Sequence, residues 1–439
     1  MPRYLKSNNR ACFPQLTDVL PVCNPCDGIG YKAPFRKEIP FKLTFIVQWY
    51  IEKLELEKKF LLSYYDFDGT IELKDLDNQR PFLRRMRLDT VKVGELFLGN
   101  KLLILSRQLV VLDYGDGLTK EYCEPKCERA FIMVRPEAMD NLPCIISRLE
   151  KCFRILRGKI FTIPQNMAYE LSSEFTGEEN FLESVRSLDG KNVAVFLLMA
   201  ENALEKMKNL VGSDKNPKEA MLKNHQSLRS LFGMDELRNG FFFSESPGCV
   251  LKQASQFFSD CPTCVIPSFF LMNGQTTCCV IKPHIMREGR AGVVLTDVVA
   301  CGFKIISLGV FWLNRRQAEE FYEIYQRIYI EAEFMAMVDE LGVGPCMVVE
   351  LSHTNASSDC NAVEAFRHFC GPADSDLARK VKPQTLRARH GLNKIQNAIH
   401  CTELPEDAYY ELEYFFKILD HKCNGVKSVT GVVPLMATQ

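Results

Sequence analysis

The chain states one plan twice. "RNGFFF", from Arg238, and "QNAIHC", from Gln396, place Asn239 and Asn397 158 positions apart, and the same interval separates Arg229 from Arg387. Strand-like runs open both copies: "RAFIMVRP", ending Val134-Arg135-Pro136, and "TTCCVIKP", ending Ile281-Lys282-Pro283. Gly212 matches Gly371. Each copy alternates β-like and helix-like segments over ~150 residues, which predicts helices layered on a single sheet. Three residues past the matched asparagines the copies part company: one has Phe242, the other His400.

A length of 439 residues predicts two to four domains. Residues 1–39, rich in Pro, Asn and Cys, read as an arm. Residues 40–125 read as a small β-rich module. There "FLLSYYDFDGTIEL" signals a hairpin about Asp68-Gly69, and "KLLILSRQLVVLDYGDG" is closed by Gly115-Asp116-Gly117. The copies occupy 127–265 and 276–420, leaving a tail at 421–439. In the second copy Val294, Val298 and Cys301 are expected on one helix face, with Gly302 as the stop. A helical hairpin follows from Gln317 to Leu341, then a helix from Asn361 to Gly371. A last helix runs from Pro405 to Leu419.

Fifty-four basic residues balance 55 acidic ones, which argues against a partner held through nucleic-acid phosphates. The longest apolar runs, such as "NVAVFLLMA", fall short of the ~20 residues a membrane helix needs. The opening "MPRYLKSNNR" lacks a secretory apolar core. A soluble, intracellular protein is expected, bound to neither membrane nor nucleic acid. The 18 cysteines are scattered, and Cys144, Cys152, Cys301 and Cys346 are expected on core faces as reduced thiols. The pairs Cys23/Cys26 and Cys261/Cys264 lie far apart without histidine partners, so no protein-held metal site is expected.

Lys282, Tyr325, Arg367, Arg387, Asn397, His400 and Glu411 give the second copy three cations, hydrogen-bonding groups, an imidazole and a carboxylate. Phosphoryl transfer uses that mixture, because its transition state is stabilised by positioning and by positive charge around the phosphoryl oxygens. His400 could accept a phosphoryl group on a neutral ring nitrogen. Glu411, two turns into the last helix, could hold the other nitrogen. Each of these residues also suits an ordinary structural or surface role, and spacing alone does not choose between the readings.

"CVIKP", "CGF", "RHFCGPAD", "KPQTLR" and "NAIHCTELPED…ELEYFF" resemble nucleoside diphosphate kinases over nearly all of residues 276–420. The resemblance implies a ferredoxin-like α/β fold and ping-pong transfer of a γ-phosphoryl between nucleotides (ATP, GTP, ADP, GDP), with Mg2+ on the nucleotide. It implies a phosphohistidine at His400 oriented by Glu411. Lys282, Tyr325, Arg367, Arg387 and Asn397 fall on nucleotide-contacting positions, and Thr402 replaces the serine that commonly follows the histidine. Cys401 replaces a glycine, and Ala373 stands where a threonine is usual. Phe334 is the nearest candidate to stack on the base, with Glu333 on the strict count.

The first copy resembles the same family without its chemistry: Arg135 stands at the lysine position, Lys208 at the first arginine and Phe242 at the histidine, while Arg229 and Asn239 remain. Phenylalanine has no lone pair for phosphorus, so this copy is expected to be a pseudokinase. The stretch "FLLSYYDFDGTIELKD…LFLGNKLLILSRQLVVLDYGD" resembles a DM10 (PH-like) module of ciliary and flagellar proteins. The resemblance implies a cytoskeletal protein of the axoneme and cytoplasm. It also implies attachment to tubulin on doublet microtubules, along their luminal wall, and contact with other axonemal proteins and γ-tubulin complexes. A protein of this layout is either a phosphotransferase working through His400 or a scaffold in which both kinase folds serve as binding blocks. By analogy with assembly in the family, the copies are expected to pair within the chain.

Overall fold

Alternation along β1 (Leu43–Ile51) buries Leu43, Phe45 and Val47 completely, so this strand forms the floor of the first module. The computed structural model describes residues 42–51, 54, 56–173, 180–258, 266–267, 276–353 and 361–419. The arm, the tail and both Cys-x-x-Cys pairs lie outside these residues. Beside β1 stand β2 (Leu56–Tyr65), β3 (Thr70–Asp75), β4 (Pro81–Arg87), β5 (Lys101–Ile104) and β6 (Arg107–Tyr114). They form one antiparallel sheet in the order β4-β3-β2-β1-β6-β5. The β2–β3 turn uses Asp68 and Gly69 as expected: Asp68 accepts from Thr70 N at 3.0 Å, and Gly69 takes φ of 66°. The β5–β6 turn was not expected. Leu105 and Ser106 both take positive φ, while Asp116 of the anticipated Gly-Asp-Gly stop instead caps the helix Gly117–Cys123 through Thr119 N at 2.7 Å.

The duplicated region builds a second sheet from β7 (Glu128–Val134), β8 (Arg154–Thr162), β9 (Asn192–Ala200), β10 (Phe241–Phe243), the two-residue β11 (Ile266–Pro267), β12 (Thr276–Ile281), β13 (Phe303–Trp312), β14 (Pro345–His353) and β15 (Ile399–Cys401). Its order is β10-β7-β9-β8-β13-β14-β12-β15, with β11 paired to β8. Within each copy the strands run fourth, first, third, second, the ferredoxin-like order. The copies join edge to edge where Lys159 of β8 meets Gly309 of β13. They do pair within one chain.

Helices reinforce that join. The helix Leu142–Glu150 turns Ile145, Ile146 and Leu149 inward, and Ala291–Ala300 does the same with Val294, Leu295 and Val298. One apolar core runs beneath both copies. The two helices approach so closely that a Cβ on Gly292 would lie 2.2 Å from Ser147 N. Here the structure corrects the cysteine expectations: Cys346 is buried, but Cys144, Cys152 and Cys301 are exposed. Cys144 faces away from the Ile145–Ile146 stripe. Cys301 follows the last helical residue, so the face begun by Val294 and Val298 does not extend to it.

The first module is clamped to both copies. Glu95 takes two hydrogen bonds from Arg154, each 2.9 Å, and lies 3.7 Å from Arg287. Gln108 donates to the carbonyls of Leu313 and Gly342.

Candidate active site

β15 is the edge strand beside β12, with His400 opposite Val280. Strand alternation puts His400 on one face of the sheet and Ile399 and Cys401 on the other. On the His400 face pack Phe321, Tyr322 and Tyr325, their ring centroids 5.0, 6.0 and 6.0 Å from the imidazole. The imidazole is buried to 7% exposure.

The helix Asp407–Glu413 brings Glu411 to this ring. Glu411 Oε1 lies 2.9 Å from His400 Nε2, and Thr402 Oγ1 donates to Glu411 Oε2 at 2.6 Å. Because a carboxylate can only accept, Nε2 carries the proton and Nδ1 keeps the lone pair. Nδ1 has no hydrogen-bond partner among the described residues. Thr402 is fully buried and also accepts from Cys278 N at 3.2 Å. Through these two bonds it holds the Glu411 carboxylate in place.

Lys282 ends β12 on the same face. Its Nζ donates to Ile395 O at 2.7 Å, and burial pushes its ammonium down to about 7, opposed by Glu340. Glu340 accepts from Gln396 Nε2 and pairs with His284 Nδ1 at 2.7 Å, a carboxylate–histidine network that motif matching did not disclose. Asn397 donates to Ala373 O at 2.8 Å. Two buried oxygens, Asn397 Oδ1 and Tyr325 Oη, have no partner among the described residues. Burial pushes the Tyr325 phenol upward, so it stays a donor.

The arginines differ. Arg367, exposed on the helix Ala362–Cys370, donates to the carbonyl of Glu403 at 3.1 Å. Arg387 is buried, and its donors point to Gly371 O at 2.9 Å, Ile399 O at 3.3 Å and Cys401 Sγ at 3.5 Å. In the first copy Arg229 donates to Gly212 O at 2.8 Å and Phe241 O at 3.2 Å. An arginine that makes matching bonds in both copies serves the fold first. Phe334, the candidate for base stacking, sits in the core between the helices and the sheet. It lies on the inward side of the helix Glu331–Gly342, in the same core as Tyr325. Glu333 is instead paired with Lys394 at 2.7 Å.

The first copy is filled in. Phe242, opposite Met133 on β10, packs against the core on its side of the sheet. Arg135 lies 3.3 Å from Glu137 and donates to Ser187 Oγ at 2.9 Å. Asn239 donates to Glu236 O, and Lys208 is exposed.

Sequence comparison agrees with this geometry. The family model for nucleoside diphosphate kinase matches residues 128–262 and 275–420. Nucleoside diphosphate kinase homolog 7 of Rattus norvegicus is 34% identical over 407 residues, covering 89% of this chain and 96% of the relative. Its Mus musculus counterpart is 33% identical over the same length and shares. The nucleoside diphosphate kinase of Aquifex aeolicus is 32% identical over 146 residues, 33% of this chain and 96% of that enzyme. Two domain matches and similarity along most of the length place this chain in the nucleoside diphosphate kinase family.

Proposed function

We propose that the second copy transfers phosphoryl groups between nucleoside tri- and diphosphates through His400, and that the first copy is a pseudokinase. One observation carries the reading: Glu411 holds Nε2 and leaves Nδ1 with its lone pair, next to the Tyr325 ring and on the sheet face that Lys282 shares. In the first step Nδ1 attacks the terminal phosphorus and the bond to the β-phosphate oxygen breaks, releasing a nucleoside diphosphate. The charge that develops on the ring is stabilised through Nε2–H by Glu411. In the second step a terminal oxygen of another diphosphate takes the phosphoryl group, and His400 returns to its neutral form. Lys282, Tyr325 Oη and the exposed Arg367 supply the cation and donors that phosphoryl oxygens need. Glu411 is already engaged by His400 and Thr402, so Mg2+ would be held by the phosphates of the nucleotide, where it neutralises their charge. Incubation with GTP and ADP should yield ATP, and His400→Gln should abolish it. Equal ATP from both proteins would overturn the assignment.

A scaffold role accompanies the chemistry. The support for it is the Phe242 copy, which keeps the fold and lacks the nucleophile, and the Glu95 clamp that fixes the first module to both copies. The six-stranded module is read as DM10-like, and the protein as a component of ciliary doublet microtubules. The full chain should co-sediment with axonemal doublets, and removal of residues before Glu124 should weaken this. Unchanged sedimentation would leave the module without that role.

A further inference from the structure

The strand that opens each copy ends in a cation, and the two copies treat that cation differently. In the first copy Arg135 lies 3.3 Å from Glu137 and donates to Ser187 Oγ at 2.9 Å. Ser187 stands five residues before the next strand, which begins at Asn192. In the second copy the matching places are held by Lys282, His284 and Glu340, the last of them five residues before Pro345. A helix position that meets the cation in one copy therefore carries an acid in the other. Lys282 nonetheless bonds only the carbonyl of Ile395, at 2.7 Å, and has no ion pair among the described residues. Its acid is engaged elsewhere. His284 Nδ1 lies 2.7 Å from Glu340 Oε1, His284 N donates to the same oxygen at 3.3 Å, and Gln396 Nε2 donates to Oε2 at 2.9 Å. Against the effect of burial, the His284 hydrogen bond holds the Glu340 carboxyl below its ordinary range, so it is an anion at neutral pH. A carboxylate only accepts, so Nδ1 carries the imidazole proton. His284 Nε2 is buried with no partner among the described residues, a cost that a residue placed only to fill space would not carry.

We propose that His284 is a positioning residue that keeps Glu340 from pairing with Lys282. The proposal rests on the phosphotransfer reading for one point, the role of Lys282 as a cation for phosphoryl oxygens. With Oε1 held by His284 and Oε2 by Gln396, both oxygens of the carboxylate are engaged. The ammonium is left on a neutral carbonyl, which a phosphate oxygen displaces more readily than it would a carboxylate, because charge-assisted bonds are the stronger ones. Gln396 adjoins Ile395, so the same carboxylate also fixes the segment on which the ammonium rests. In the first copy Glu137 lies directly against Arg135, and that cation is already neutralised.

The test is the affinity of the full chain for ADP with Mg2+, read by titration calorimetry, where no turnover occurs. His284→Leu keeps the bulk and removes the ring donor. Glu340 should then turn to Lys282, and ADP binding should weaken by about tenfold or more, the equivalent of one charge-assisted bond. Adding Glu340→Gln to His284→Leu removes the anion as well and should bring the affinity back to within about threefold of wild type. His284→Asn keeps an N–H donor and should recover most of the affinity. Gln396→Met frees Oε2 and should weaken binding in the same sense as His284→Leu, a second route should the leucine variant fail to fold. A double variant as weak as His284→Leu, or unchanged affinity in both His284→Leu and Gln396→Met, would overturn the proposal. ATP formation from GTP separates it from the phosphotransfer reading. If wild type forms no ATP while the ADP affinities move as described, that reading fails and this one stands; if wild type forms ATP while the affinities do not move, the reverse holds. A wild-type chain that binds no ADP would overturn both.

Discussion

The carboxylate of Glu150, in the first copy, accepts a hydrogen bond from the Gly292 amide of the second at 2.8 Å. The Ala291 amide donates to the same carboxylate at 3.1 Å. One copy thus caps the first turn of a helix in the other, where free N–H groups and the helix dipole favour an anion. The intramolecular pairing depends on this contact and on the absence of a side chain at position 292.

Gly292→Ala tests that approach. Alanine is normally the better helix residue by ~1 kcal/mol, but here its Cβ would meet Ser147 N at 2.2 Å and Ser147 Cα at 2.5 Å, both backbone atoms. The clash should prevail and destabilise the chain by about 1–3 kcal/mol. Gly342→Ala, where a Cβ meets nothing within 4 Å, is the control and should be neutral or stabilising. Urea unfolding of the two variants should diverge in these directions.

Glu150 also gives the pairing a pH dependence. Burial pushes its carboxyl up to about 7, against the two amide hydrogen bonds, whereas an unfolded glutamate titrates near ~4.3. With the folded value raised, the stabilising contribution is full below ~4.3 and is lost as pH climbs to about 7. Glu150→Gln cannot titrate, so its urea midpoint should fall less than that of wild type between about pH 5 and pH 8. Parallel profiles would assign the dependence elsewhere.

Lys282 is shifted in the opposite sense, and its window lies above that of Glu150, between about 7 and the ~10.4 of a free lysine. Its folded value near 7 lies below that of a free lysine, so the fold favours the neutral amine and loses that stabilisation as pH falls through about 7. A bound phosphate reverses the preference. Nucleotide binding at about pH 8 should therefore take up a proton, seen as a buffer-dependent heat in titration calorimetry, and Lys282→Met should remove it.

The elements legible in the sequence are those set by local chemistry. Asp68-Gly69 makes its turn, Asn361 caps its helix, and Gly371 ends the same helix with φ of 80°. Glu411 comes to His400 because the strand and the following helix are close in sequence. What was not legible depends on long-range packing. Leu105-Ser106 turns without glycine, held by the pairing of β5 with β6. Phe334 lies one residue from Glu333, and only the packed helix shows which of them faces the core. The triple engagement of Arg387 needs atoms from the helix end at Gly371 and from two residues of β15, a convergence that no spacing announces.

The phosphohistidine itself is the most direct observable. Full-length protein incubated with γ-labelled ATP and Mg2+, then separated from nucleotide, should carry an acid-labile, base-stable label that maps to the peptide containing His400. Added ADP or GDP should discharge it. His400→Gln should carry none. Label of equal amount on the variant, or no label on a folded wild-type chain that binds nucleotide, would contradict transfer through His400.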